Sequence, residues 1–208
     1  PDMNGFSPAR KGYTGSDLRS FVDADTTGFD GSKTLDQLAL DLRMDQRMMY
    51  FTDPGVRGEF DGKIYAVNLD GETEVTDLTP TIGQTKLRDP LGIAVDLKRD
   101  YLYWVDGVGN YSVGGRINLK KKDIFAGRLW RCELNGRNSG GNVELVYGNF
   151  SSPQGLALDL DNYTAYITDV GTMPDASVWL IGMDWHLDNK EIMGKVHDWP
   201  WELDGDGN

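Results

Sequence analysis

The sequence predicts an all-β fold of the β-propeller class, built of four-stranded antiparallel blades. Three observations carry this. One pattern is written three times along the chain: a short apolar run ending in Asp, an aromatic-bearing run ending in Asp, and an alternating segment that closes in a polar turn. β-branched and aromatic residues dominate the runs, and Gly, Asp, Asn and Pro punctuate them. No stretch carries a sustained helical period; Leu35 to Met44 is the nearest, and it aligns instead with strand segments of the other two repeats. A repeat of this kind decides the fold before any single motif does.

Taken in order, residues 1–34 are rich in Gly, Ser, Thr and Asp, with one strand expected over Leu18 to Val22. They read as an N-terminal segment or a partial blade. Asp23-Ala24-Asp25-Thr26 has the alternate oxygens that open a calcium loop, but no later Glu completes it, and a polar turn is the preferred reading.

The first repeat has Leu38 to Asp41, Met49 to Asp53 and Lys63 to Gly71. The second has Pro90 to Asp96, Tyr101 to Asp106 and Gly127 to Gly136. The third has Pro153 to Asp159, Ala165 to Asp169 and Ser177 to Asp184. Short apolar runs read as fully buried strands and period-two alternation as half-buried ones. A fourth strand is expected after each third segment, over Glu74 to Leu78, Val143 to Tyr147 and Glu191 to Val196. Four strands graded from buried to exposed make one propeller blade. The blades span about residues 35–80, 88–148 and 151–198, followed by an acidic tail over 199–208. Asp41, Asp96 and Asp159 are spaced by 55 and 63 residues, longer than a minimal blade of about 40–50. The surplus falls between the second and third strands, over Pro54 to Gly62, Gly107 to Ala126 and Val170 to Ala176.

Composition narrows the function. The net charge of −12 over 208 residues argues against a nucleic-acid partner, which requires a basic face. No apolar run approaches the roughly 20 residues of a membrane-spanning helix. A single cysteine, Cys132, rules out an internal disulfide framework and sits mid-strand, where a buried, inert thiol is expected. The chain opens at Pro1 and closes in Asp204-Gly205-Asp206-Gly207-Asn208, so it reads as an excised or processed piece. Asn110, Asn149 and Asn162 each begin an N-glycosylation acceptor triplet, and all three are expected in turns or loops. The expected location is extracellular or at the cell surface.

The ordered motifs Pro90-Leu91-Gly92-Ile93-Ala94-Val95-Asp96, Leu102-Tyr103-Trp104-Val105-Asp106 and Leu134-Asn135-Gly136 resemble the YWTD repeats of low-density-lipoprotein-receptor-type β-propellers. Tyr50-Phe51-Thr52-Asp53 and Tyr166-Ile167-Thr168-Asp169 are near-matches of the same motif. The resemblance implies blades that belong to a six-bladed ring. That family's alternating cysteine-rich modules are absent from this sequence. A structural role is expected for Tyr103 and Trp104 as apolar plates between sheets. Asp53, Asp106 and Asp169 are expected to accept backbone N–H groups at strand ends and tie one blade to the next.

In a propeller the loops from second to third strand share one face with the connections between blades. That face is the expected binding surface, since loops on a rigid scaffold carry function. Its candidate residues are Arg57 and Glu59 in the first insertion, Asn110, Tyr111, Lys120, Lys121 and Lys122 in the second, and Met173 and Asp175 in the third. The three lysines form a basic spur on an acidic molecule. No catalytic residue is predicted. His186 and His197 stand near no recognisable nucleophile motif, and Gly107-Val108-Gly109 lacks the strand–turn–helix setting of a phosphate loop.

The expected function is therefore a non-enzymatic binding or structural-assembly module. Its partners are a protein, a glycan or neighbouring copies, with no nucleic acid. The alternative is a calcium-dependent lactonase or gluconolactonase-like hydrolase, whose family shares the Pro-x-Gly-Leu-Ala strand seen at Pro153 to Ala157. That family places a metal-binding Asn where this chain has Gln154 and, in the middle repeat, Leu91. No cofactor is assigned. A calcium ion is considered only at Asp204, Asp206 and Asn208, which offer oxygens at positions 1, 3 and 5 of a loop that ends before its Glu.

Overall fold

The computed structural model describes Val22, Thr26 and residues 35–45, 47–56, 61–70, 74–79, 87, 89–107, 127–134, 140–170 and 176–183. Among them are eleven strands in three antiparallel sheets. The first sheet is β1 (Leu38–Asp41), β2 (Met48–Asp53), β3 (Lys63–Asn68) and β4 (Val75–Asp77). The second is β5 (Pro90–Asp96), β6 (Tyr101–Asp106), β7 (Gly127–Leu134) and β8 (Gly140–Phe150). The third is β9 (Pro153–Asp159), β10 (Thr164–Asp169) and β11 (Ser177–Gly182). Within each sheet the strands lie in chain order. The expected fourth strand over Glu191 to Val196 lies outside the described residues, as does Leu18 to Phe21.

The sheets stack face to face, and their innermost strands β1, β5 and β9 lie side by side. This is the propeller arrangement. Each sheet has a face toward its predecessor, here the leading face, and one toward its successor, the trailing face. Pleating alternates the two along every strand. The trailing face of the first sheet (Met48, Tyr50, Ile64, Ala66) meets the leading face of the second (Ile93, Leu102, Trp104, Cys132, Leu134) in one core. The trailing face of the second (Tyr103, Val105, Leu129, Val146, Tyr147) meets the leading face of the third (Ala165, Ile167, Ile181) in another. A smaller cluster of Phe51, Tyr65, Val67 and Val75 lies on the leading face of the first sheet, with Val22 packed against it.

The inner strands approach closely enough to require glycine. A Cβ on Gly92 would lie 2.5 Å from the Gln154 carbonyl oxygen and 2.7 Å from the Leu156 nitrogen. Backbone cannot yield as a side chain does, so β5 and β9 pack at this distance only without a side chain there.

One expectation is corrected. Asn149 was expected in a loop, but β8 runs eleven residues to Phe150 and includes it. Register shifts between Gly127 and Arg128 and between Leu129 and Trp130 let the edge strand keep pairing past Tyr147.

Candidate binding face

The insertions and the inter-blade connections open at one end of the sheets. The Gly62 amide, at the close of the first insertion, donates to the Leu87 carbonyl in the β4–β5 connection at 3.1 Å. The Gly107 amide, where the second insertion begins, donates to the Asp89 carbonyl at 3.0 Å. The Val170 amide, where the third begins, donates to the Ser152 carbonyl in the β8–β9 connection at 3.0 Å. Each insertion therefore leaves the scaffold from a fixed point on the same rim.

The carboxylates on this rim are engaged in holding it. Asp169 Oδ1 and Oδ2 accept the Ser152 and Ser151 amides at 2.6 and 2.8 Å, which fastens the end of β10 to the strap that leads from the second sheet into the third. Asp53 Oδ1 accepts the Gly55 amide at 2.9 Å, inside its own loop, where Gly55 takes a left-handed φ of 72°. Asp106 Oδ2 accepts the Trp130 indole N–H at 2.8 Å across the β6–β7 pair. Asp61 Oδ1 accepts the Val56 amide at 2.8 Å. Asp77 Oδ1 accepts the Thr79 amide at 2.9 Å, and Thr79 Oγ1 in turn accepts the buried Ile64 amide at 3.2 Å. Thr52 Oγ1 donates to the Leu91 carbonyl at 2.8 Å and so joins the first sheet to the second.

The opposite end carries short turns. Asp41, Asp96 and Asp159, which end the three inner strands, each accept a backbone amide two residues on, from Arg43, Lys98 and Asp161 at 2.9–3.0 Å. This is the Asx turn that a short side-chain carboxylate favours. Asn162 is exposed in the last of these turns, and its side-chain amide donates to Asp159 Oδ2 at 2.7 Å. That bond holds the Asp159 carboxyl below the usual carboxylate range. Arg43 and Lys98 extend to the next sheet. Arg43 donates to Asp100 Oδ1 at 2.5 Å, and Lys98 donates to the Leu160 carbonyl at 3.0 Å and to Asp161.

Arg131 crosses between the second and third sheets. It donates to Glu144 at 2.7 Å and to the Met183 carbonyl at 3.2 Å, and it lies 4.7 Å over the Tyr101 ring. Cys132 is fully buried, and burial pushes its thiol up to about 12. Its thiolate is therefore not formed at neutral pH, in keeping with an inert thiol.

Arg57, Glu59, Asn110, Tyr111, Lys120, Lys121, Lys122, Met173 and Asp175 lie outside the described residues, as do Asp204, Asp206 and Asn208. The roots of the three insertions, at Gly62, Gly107 and Val170, lie on one rim. The sequence reading missed Thr52, Thr79, Arg43, Lys98 and Arg131. Arg43 and Lys98 were findable, since both stand two residues after the Asp that ends the inner strand. The long reach of Arg131 carried no signal. Among the described residues no group of three or more His, Cys, Asp or Glu is placed to hold a metal ion, and no helix is long and apolar enough to cross a membrane.

No protein-family model matches the chain. Solved structures do. A chain of the crystal structure of a nidogen/laminin complex matches with a TM-score of 0.51 and 21% identity, over 73% of this chain and 45% of that one. The periplasmic gluconolactonase PpgL of Pseudomonas aeruginosa matches with a TM-score of 0.41 and 15% identity, over 67% and 38%. TolB from Acinetobacter baumannii matches with a TM-score of 0.41 and 9% identity, over 73% and 42%. The present chain spans less than half the length of each. The first likeness agrees with the strand order and sheet stacking in assigning the chain to the β-propeller class of folds.

Proposed function

We propose that this chain is a non-enzymatic extracellular binding module of the YWTD type, which holds its insertions out from one rim to contact a protein or a glycan. The observation that carries this is the use of the rim's polar groups. Asp53, Asp61, Asp77, Asp106, Asp169 and Thr79 all fasten backbone or indole N–H groups there. A carboxylate that accepts such bonds at a strand end anchors the backbone there. The scaffold is thereby fixed and the insertions are left to supply contacts. The middle one brings Arg116 and Lys120 to Lys122 against a single Asp123. On a chain of net charge −12 such a basic loop favours an acidic surface on the partner and speeds encounter with it. The nidogen/laminin likeness supports a protein partner in particular.

The test pairs two measurements on the intact chain. Immobilised chain is screened against extracellular proteins and a glycan array, alongside a Lys120→Ala/Lys121→Ala/Lys122→Ala variant. A specific ligand whose binding drops at least tenfold in the variant supports the module. Hydrolysis of aldonolactones that depends on added calcium, with no ligand found, replaces it with the lactonase reading.

A further inference from the structure

The structure sets one of the three acceptor triplets apart. Asn162 stands exposed in the short turn between β9 and β10, at the end of the sheets away from the insertions. The turn around it is held from several sides. Asp159 Oδ1 accepts the Asp161 and Asn162 amides at 3.0 and 3.1 Å. The hydroxyl of Thr164, the third residue of the triplet, donates to the Asn162 carbonyl at 3.2 Å. Tyr163 takes a left-handed φ of 50°, and the Arg99 guanidinium of the preceding sheet lies 3.6 Å over its ring. The acceptor side chain therefore leaves a fixed root.

The repeat supplies a control for the exposure. Arg99 holds the same position in the β5–β6 turn, three residues after the Asp that ends the inner strand, and Asp96 accepts its amide at 3.1 Å. The second sheet is packed on both faces, yet the Lys98 and Asp100 side chains of this turn are 46% and 55% exposed. Met44, three residues after Asp41 in the first sheet, is 94% exposed. The exposure of Asn162 thus belongs to the turn position, whichever sheet carries it. The triplet at Asn149 has a different setting: it begins inside β8, its Phe150 is fully buried, and its Ser151 amide is bound by Asp169.

We propose that Asn162 carries an N-linked oligosaccharide, and that this glycan keeps the turn end of the sheets in solvent, opposite the ligand-binding rim. The proposal rests on the extracellular reading above. In the transfer, Asn162 Nδ2 bonds to the anomeric carbon of an oligosaccharide held on a lipid diphosphate. The bond from that carbon to the diphosphate oxygen breaks, the lipid diphosphate leaves with the electron pair, and Nδ2 gives up one proton. An amide nitrogen of this kind has two hydrogens. One donates to Asp159 Oδ2 at 2.7 Å, so the other is replaced with that bond kept. Because the side chain ends in solvent, a chain modified before it folds buries no sugar. A glycan is bulky and solubilising. Here it stays clear of the insertions, whose roots lie at the other end.

The test is secretion of the chain from cultured animal cells behind a cleavable signal. Peptide-N-glycosidase in heavy-oxygen water then converts each glycan-bearing Asn to a labelled Asp, which peptide mass spectrometry locates. Position 162 is labelled in most molecules. Asn162→Gln and Thr164→Ala each lose one glycan by gel mobility, whereas Thr164→Ser, which preserves the triplet, keeps it. Thr164→Ala leaves the Asn162 side chain in place, so the site is still read if Asn162→Gln fails to fold. Loss of the glycan leaves affinity for the rim's ligand within about twofold. A secreted parent with a bare Asn162 overturns the proposal. So does a rise in affinity of about tenfold on losing the glycan, since the sugar would then overlie the binding face. A glycosylated chain with no ligand upholds this site and removes the binding module; a bare Asn162 on a chain that binds its ligand does the reverse.

Discussion

Two tryptophans show how much a single hydrogen bond decides. Trp104 and Trp130 face each other across β6 and β7. Trp130 donates its indole N–H to Asp106, whereas the buried Trp104 indole N–H has no partner among the described residues. Replacing either by Phe removes similar volume. Only Trp130→Phe also deprives Asp106 of a donor, which costs about 1–3 kcal/mol where the acceptor is screened from water. Urea unfolding followed by far-UV circular dichroism is expected to rank Trp130→Phe as the more destabilising, provided volume loss is equal. Gly92→Ala is harsher, because its Cβ would press on backbone of β9 at 2.5 Å. A loss of about 2–3 kcal/mol is expected, within the range for overpacking. At Cys132 the folded state keeps the thiol neutral up to about 12, while an unfolded thiol ionises near 9.0. The raised folded value means this contribution is fully present below pH 9 and is lost as pH rises from there toward 12. Cys132→Ala is expected to be less stable at pH 7 but to lose less stability between pH 8 and pH 10, as measured by urea midpoints.

At the scale of elements, every strand of the first two sheets was legible because each carries its pattern twice over, in its own alternation and in register with its counterparts. β5, β6 and β9 begin and end where the sequence places them. Ends shift by one residue on β2, β4 and β10 and by three at each end of the edge strand β8, where pairing on one side only leaves bulges to set the length. The ties between sheets were less legible, because a side chain that crosses to another sheet leaves no local pattern. Arg43 and Lys98 show that such ties differ in value. Arg43 is bidentate on Asp41, whose side chain is fully buried, so Arg43→Ala strips a buried carboxylate of its cation. Lys98 is 46% exposed and its partner Asp161 is 89% exposed. Exposed pairs contribute about 0–1 kcal/mol. Thermal unfolding is expected to show a clear drop in midpoint for Arg43→Ala and a change near the error for Lys98→Ala; equal effects would mean the buried carboxylate is satisfied by other groups.

For the molecule as a whole, a stack in which each sheet touches only its neighbours has a stability that is uneven by construction. The second sheet is covered on both faces, and Leu102, Tyr103, Trp104 and Val105 of β6 are all fully buried. The outer sheets each have one face in a main core and one face partly in solvent, at Leu38 and Leu40 on one side and at Tyr166, Val178 and Leu180 on the other. This gradient was invisible in the sequence. Tyr50, Tyr103 and Tyr166 are the same residue in the same motif, and only the stacking order separates a buried side chain from an exposed one. The contact chemistry of the insertions was illegible for a related reason, since loops outside the repeat obey no period that could be read. Opening free energies follow burial and contact density. Hydrogen exchange read by mass spectrometry is therefore expected to find amides of β6 and β7 slowest, exchanging only with global unfolding. Those of β1 and β11 exchange first. Equal exchange rates across the three sheets would show instead that the fold opens as one unit.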